Sequence, residues 1–257
     1  PELTPLAVSL LAEAMVKAKV PPGAVNIVCG YGHDTGAALV SHGDIDQIVF
    51  TGSVATGQSI MQAATEHVVP CVMELGGKSA GVVFADADLD QVIASAEVGN
   101  LFNSGQVCSA MSRLIVHESV YEEVKQRLIT CFAAKSVGPG MDEADVTPIL
   151  TQGQLDKIVA MCGRAKEQGA RCLLGGAALP GPGYFMPPTI IEAAADTEIA
   201  QQEVFGPVLV LMKFSSEEEA YAMANGTDFG LVAGVFTPNV SLALRASRAL
   251  VAGQVFV

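Results

Sequence analysis

The stretch LFNSGQVCSAMSR, residues 101–113, holds one thiol, Cys108, among glycine, serine and alanine. As a thiolate, cysteine attacks carbonyl carbon readily, and small neighbours leave such a group accessible. The other reading is equally simple, since a cysteine between two helices also serves as a small buried hydrophobe. Composition alone leaves both open. Glu74 ends the apolar run VVPCVMEL just before Leu75, Gly76 and Gly77. A carboxylate leaving a hydrophobic strand is partly desolvated, which pushes it toward use as a general base. The alternative is a glutamate turned out to solvent.

Two further stretches could bind an anion. GYGHDTG places Gly30, Gly32 and Gly36 one residue off the G-x-G-x-x-G dinucleotide fingerprint. In FTGS, Gly52 allows close backbone approach, and Ser53 stands where a helix N-terminus attracts negative charge. Each could instead be an ordinary strand-to-helix turn with a cap. Near the far end, EVFGP sets Glu203 and Phe205 in a tight turn, whose plain reading is a loop anchored by a buried Phe. Lys78 reads as a surface or hinge-fixing lysine.

The bulk numbers limit the classes of function. Half of the 257 residues are hydrophobic and the formal charge is −13. Such a chain has a core to bury, and it lacks the cations that neutralise nucleic-acid phosphates. No run approaches the ~18 apolar residues of a membrane helix, and no signal-peptide pattern opens the sequence. A cytoplasmic enzyme is expected. The six cysteines form no C-x-x-C pair and the four histidines lie at no zinc spacing, so no metal is expected.

Elements must position these residues. SLLAEAMVKAKV has helical spacing and stops at Pro21-Pro22-Gly23. AVNIVCG reads as a buried strand leading into the Gly-rich turn and a second helix. DQIVF is a strand, TGSVATGQSIMQAAT a capped helix, and VVPCVMEL a strand. After ELGGKSA come the helix DADLDQVIASAEVGNLF, the strand RLIVH, and the helix SVYEEVKQRLITCFAAK with Ser119 as its cap. A loop over 136–148, the helix QGQLDKIVAMCGRAKEQG, RCLLGG, TIIE, VLVLMKF, SEEEAYAMANG, LVAGVFT and SLALRASRAL complete the chain. Short buried strands alternating with helices imply parallel sheets with right-handed crossovers. Gly76-Gly77 suggests a hinge, dividing the chain into 1–75 and 76–257.

Taken together, IVFTGSVATG, MELGGKSAGVVFADADLD, FNSGQVCSA, EVFGPVLVL and NGTDFGLVAGVFT occur in the order and spacing of the NAD(P)-dependent aldehyde dehydrogenases. ELGGK with GQVC, 34 residues from Glu74 to Cys108, followed by EVFGP, is a specific set, and the resemblance runs from the first residue to the last. It implies an α/β architecture: a Rossmann-like parallel βαβ cofactor-binding portion, then an α/β catalytic domain. It implies that Cys108 is the nucleophile, passing through a thiohemiacetal and a thioester, with its own N–H as half of an oxyanion hole. Glu74 becomes the base for the hydrolytic water.

For the cofactor, the resemblance implies contacts from Gly32, Gly36, Thr51, Gly52, Ser53, Leu75, Gly76, Glu203 and Phe205. It also implies that Glu2 lies near the adenosine ribose, where an acid favours NAD over NADP. Phe102, Val107 and Ser109 are candidates to line the aldehyde site. Family members are about twice this long and homo-oligomeric. The segment therefore resembles a piece of a longer enzyme, inactive alone for want of a second oxyanion donor. A non-catalytic binding module and a CoA-acylating semialdehyde dehydrogenase are the alternatives.

Overall fold

The computed structural model describes residues 2–257. Contacts divide it into two compact units, one reaching to Leu75 and the other spanning Gly76–Val257.

In the first unit, helix α1 (Leu6–Lys17) is followed by a π-turn at Gly32–Gly36 that runs into the short helix α2 (Ala37–Val40). Strand β1 (Ile48–Thr51), helix α3 (Val54–Ala64) and strand β2 (Cys71–Glu74) form a βαβ crossover unit. β1 and β2 pair in parallel with Thr51 opposite Glu74. Ser53 caps α3, its Oγ accepting from the Thr56 N–H at 3.3 Å. The core here is small, built on buried Ile48, Ile60 and Ala64. This accounts for one departure from expectation: residues 24–30 are not a strand. With only two strands paired, the apolar run AVNIVCG finds no ladder partner, and Val28 is exposed. Likewise α1 buries none of its residues.

The second unit is a seven-stranded sheet. Its strands, in chain order, are β3 (Ala80–Val83), β4 (Arg113–His117), β5 (Arg171–Leu174), β6 (Thr189–Glu192), β7 (Val208–Phe214), β8 (Val232–Phe236) and β9 (Gln254–Phe256). The spatial order is β5-β6-β7-β4-β3-β8-β9, parallel throughout except for the edge pair β5–β6. Connecting helices are α4 (Leu89–Leu101), α5 (Tyr121–Ala133), α6 (Gln152–Glu167), α7 (Glu198–Gln201), α8 (Glu217–Asn225) and α9 (Val240–Ala249).

Helices cover both faces. Leu114, Val116, Leu209 and Leu211 pack toward α4 and α5, whereas Ile115, Val208, Val210 and Met212 pack toward α6 and α8. Burial on both sides is why VLVLMKF reads as continuous hydrophobe without alternation. Strand β3, an interior strand between β4 and β8, escapes sequence reading because Ala80 and Gly81 carry so little of its apolar signal. Ser119 is not the cap of α5; its Oγ pairs with His117 Nδ1 at 2.8 Å, and the helix starts after Val120 without a side-chain cap. Among the described residues no helix is long and apolar enough to cross a membrane.

Between α4 and β4 the chain makes a tight passage. Asn103, Ser104 and Gly105 all take left-handed backbone, with φ of 50°, 56° and 70°. Non-glycine residues pay roughly 1–2 kcal/mol each for this conformation. Gly105 has no alternative, because a Cβ there would strike the Gly206 carbonyl. We expect Gly105→Ala to lower the unfolding free energy by about 3 kcal/mol in urea titrations. The control Gly153→Ala, where a Cβ meets open space, should be neutral; equal losses in the two variants would refute the argument.

Candidate functional site

In the second unit three motifs distant in sequence meet at one backbone crossing. Gly77 donates its N–H to Glu203 Oε1 at 3.0 Å. A Cβ on Gly76 would collide with the same carboxylate, and a Cβ on Gly77 would collide with the carbonyl oxygen of Cys108. ELGGK, GQVC and EVFGP therefore share a contact that only glycine permits. The crossing lies at the amino-terminal ends of β3, β4 and β7.

Cys108 is half-buried and sits in a turn closed by the Ala110 N–H donating to the Val107 carbonyl at 3.1 Å. The Met111 N–H donates to the Gly99 carbonyl at 2.8 Å and fixes the exit of that turn on α4. From behind, the left-handed run is locked. Ser104 Oγ donates to the Thr147 carbonyl at 2.8 Å and accepts from the Thr147 N–H at 2.9 Å. Gln106 accepts from the Leu150 N–H at 2.8 Å and donates toward the Asn103 and Pro148 carbonyls. The Cys108 N–H has no hydrogen-bond acceptor among the described residues. A free N–H beside a half-buried thiol is the arrangement an oxyanion donor requires.

Glu203 is half-buried. Burial raises its carboxyl above the ordinary range, against the Gly77 N–H and the charge of Lys78, which lower it. Phe205 does not anchor its loop from inside: it is 38% exposed with φ of 55°, and Val204 is the buried residue of the turn. Gln154 Nε2 holds this strained turn by donating to the carbonyls of both Val204 and Phe205. Of the candidate lining residues, Ser109 borders a cavity of about 650 Å³ with Met111, Gln91 and β8. Val107 is half-buried, and Phe102 is exposed.

Lys78 is not at the surface. It is 1% exposed, and its Nζ has no hydrogen-bond partner among the described residues. Burial, then the neighbouring Arg113 guanidinium, pull its amine down to about 7. Arg113 is buried too, but its fork is satisfied: Nε donates to the Lys78 carbonyl, and the two terminal nitrogens to those of Met223 and Ala224, at 2.7–2.8 Å. Sequence reading missed Lys78, which lies two residues before a strand buried along its whole length and carries no local signal of that burial.

In the first unit, Thr51, Gly52 and Glu74 come together at the carboxyl ends of β1 and β2, where the Gly52 N–H donates to the Glu74 carbonyl at 3.0 Å. Ser53 begins α3 beside them, and Leu75 packs where Gly57 has no side chain. Glu74 itself is exposed, so the desolvation expected at its strand end is absent. Glu2 borders a cavity of about 380 Å³ with Cys29, Gly30 and Tyr31. At Gly32 and Gly36 a side chain would meet open space, so neither backbone nor neighbours demand glycine there; Gly30 is the constrained one, pressed against Thr35. Among the described residues no three His, Cys, Asp or Glu side chains gather as a metal site needs.

The description "Aldehyde dehydrogenase family" fits residues 1–257 in full. The chain belongs to the aldehyde dehydrogenase family. It is 40% identical to an aldehyde dehydrogenase of Emericella nidulans, over all of this chain and 52% of that protein. It is 42% identical to a betaine aldehyde dehydrogenase of Cereibacter sphaeroides, over all of this chain and 53% of that one. The NAD+ complex of an aldehyde dehydrogenase from Bacillus cereus superposes with a TM-score of 0.96 at 38% identity, covering 99% of this chain and 52% of that one. The α/β fold is that of the aldehyde dehydrogenases. The chain spans about half the length of the curated relatives it matches.

Two measurements follow from the site's thiols and amine. Burial pushes Cys131 and Cys162 up to about 11, leaving about one thiolate in ten thousand at pH 7. Cys108 is half-buried and Cys29 exposed. Peptide mapping after limited alkylation should find Cys108 and Cys29 modified well ahead of Cys131 and Cys162, and the reverse order would remove Cys108 as a reactive thiol. For Lys78 the unfolded amine titrates near 10.5 and the folded one near 7. Between those values the unfolded chain binds the extra proton, so stability rises with pH, by at most about 1.4 kcal/mol per unit. Lys78→Met should flatten that rise between pH 7 and 9; an unchanged slope would show that Lys78 does not titrate there.

Proposed function

We propose that this chain carries the nucleophile and part of the dinucleotide site of an NAD-dependent aldehyde dehydrogenase that converts an aldehyde to a carboxylic acid. The observation that supports this best is the crossing at Gly76-Gly77, where the backbone of the Cys108 turn and the Glu203 carboxylate both close on one glycine pair.

Cys108 Sγ, as thiolate, adds to the aldehyde carbon and forms a thiohemiacetal. The former carbonyl oxygen gains negative charge, and the unpaired Cys108 N–H is the donor for it. When bound, NAD supplies the acceptor for the hydride leaving that carbon. What remains on Sγ is a thioester. Glu74 takes a proton from the water that attacks it, the acid departs, and the thiol is restored.

The residues present suit a dinucleotide. Glu203 is an acceptor-only carboxylate when ionised, matched to the paired hydroxyls of a ribose. Gly76 keeps the backbone beside it free of a side chain. Ser53 and the amino end of α3 suit a pyrophosphate. Glu2, on its own cavity, accepts a 2′-hydroxyl and repels a 2′-phosphate, which favours NAD over NADP. Betaine aldehyde, named for the Cereibacter relative, is the first aldehyde to test.

By itself the chain is proposed to turn over slowly. Its oxyanion donor is one N–H, and a second donor is worth about 3 kcal/mol, or two decades in rate. An aldehyde-dependent NADH signal from the 257-residue chain alone as fast as that of a polypeptide of the relatives' length would contradict that. In a polypeptide of the relatives' length carrying this segment, Cys108→Ala is expected to abolish NADH formation. Glu74→Gln should slow steady turnover by roughly 10²-fold or more while a first-turnover burst survives. A Cys108→Ala protein with unimpaired activity would end the proposal.

A further inference from the structure

Lys78 takes no part in the chemistry above, yet it is a fully buried amine whose Nζ meets no acceptor among the described residues. Leaving a buried amine unpaired is costly, so a charge partner within reach is expected. Three titratable groups bear on its charge: Arg113 from β4, whose Nε donates to the Lys78 carbonyl, Cys162 from α6, and Glu203 from the turn before β7, which accepts from the N–H of the residue preceding Lys78, Gly77. Arg113 is a like charge whose donors are already spent on the carbonyls of Lys78, Met223 and Ala224. Cys162 is buried and holds its proton. Glu203 is the only carboxylate of the three.

Glu203 has the complementary need. Its carboxylate rests on the Gly76–Gly77 backbone, half-buried, with the Gly77 N–H as its donor. Among the described residues no cation forms an ion pair with it, and Lys78 is the one cation whose charge bears on it. The residue whose N–H seats this carboxylate is thus the chain neighbour of the amine that lacks a partner.

We propose that Lys78 is a positioning residue for Glu203, its buried ammonium supplying the charge that keeps the carboxylate seated on the Gly76–Gly77 backbone. The consequence for cofactor binding rests on the reading of Glu203 as a ribose contact; the pairing itself does not. As Lys78 loses its proton with rising pH, the seat weakens, and a ligand that needs the carboxylate in place binds less tightly.

The test measures the pairing and its consequence separately. Carbon-13 NMR of glutamate-labelled protein, with Glu203 assigned through Glu203→Gln, follows the carboxyl titration in wild type, Lys78→Met and Lys78→Arg. Loss of the charge should raise the Glu203 titration by about half a pH unit or more, and arginine should restore it. Coupling is reciprocal, so Glu203→Gln should lower the Lys78 titration by a similar amount. This second arm decides the matter if Lys78→Met fails to fold. An unmoved Glu203 in Lys78→Met, or an unmoved Lys78 in Glu203→Gln, overturns the pairing.

NADH fluorescence titrations on the same variants, in a polypeptide of the relatives' length carrying this segment, then read the consequence. Affinity should fall roughly threefold or more in Lys78→Met and return in Lys78→Arg. Coupled titrations with NADH affinity unchanged in Lys78→Met would refute the ribose reading of Glu203 and leave the pairing standing.

Discussion

The contact on which the second unit depends is the approach of the Gly76–Gly77 backbone to the Cys108 carbonyl and the Glu203 carboxylate. A single methyl group at Gly77 would push the thiol-bearing turn away, and one at Gly76 would displace the glutamate. Two constraints therefore coincide. The chain must narrow to pass between two other segments, and the same narrowing exposes an N–H to a carboxylate. Because β3, β4 and β7 are adjacent in one sheet, the segments leading into them arrive side by side. The sheet order alone makes three distant stretches of sequence into neighbours.

That arrangement is held from outside by strain rather than by bulk. Three successive left-handed residues precede Gln106, and Phe205 is left-handed as well. Such backbone persists only where the surroundings over-determine it. Here Ser104 and Gln106 grip residues 147–150, and Gln154 grips the carbonyls before Gly206. The loop over 136–150 and the start of α6 thus act as a clamp on both the thiol turn and the glutamate turn. Strain that clusters around an unpaired N–H and a half-buried thiol is the pattern expected of a working site.

Much of this was legible in the sequence where periodicity or motif chemistry was strong. RLIVH, VLVLMKF and the longer helices of the second unit read correctly because burial on two faces, or on one, leaves different apolar patterns, whereas the four-residue α7 is too short to show a period. The Ser53 cap came from residue type and position, whereas the Cys108–Glu74–Glu203 set came from the resemblance of the motifs to a family, since residue type alone left each of the three open. What escaped depended on partners far along the chain. AVNIVCG is apolar enough for a strand but has nothing to pair with, whereas β3 is interior with little hydrophobic signal of its own. Lys78 looked like a surface residue because nothing local announces that β3 is enclosed on all sides. Glu74 was expected to be desolvated by its strand, yet a strand end at the edge of a two-stranded sheet remains open to water.

Where the groups sit on their sheets also has a physical logic. In the second unit the site gathers in the loops that enter β3, β4 and β7, where the Gly77 N–H lies outside the sheet ladder and donates to Glu203 instead. Both a seated carboxylate and a developing oxyanion need N–H donors, and loop backbone free of the ladder can supply them. In the first unit the candidate anion contacts lie at the carboxyl end of β1, and there the donors come from the amino end of α3. The same requirement, N–H groups aimed at negative charge, is met by a strand entrance in one unit and by a helix entrance in the other. A buried lysine beside the first of these fits the same economy of charge: where N–H dipoles alone seat a half-buried carboxylate, a nearby ammonium strengthens the seat without adding a side chain to the narrow crossing itself.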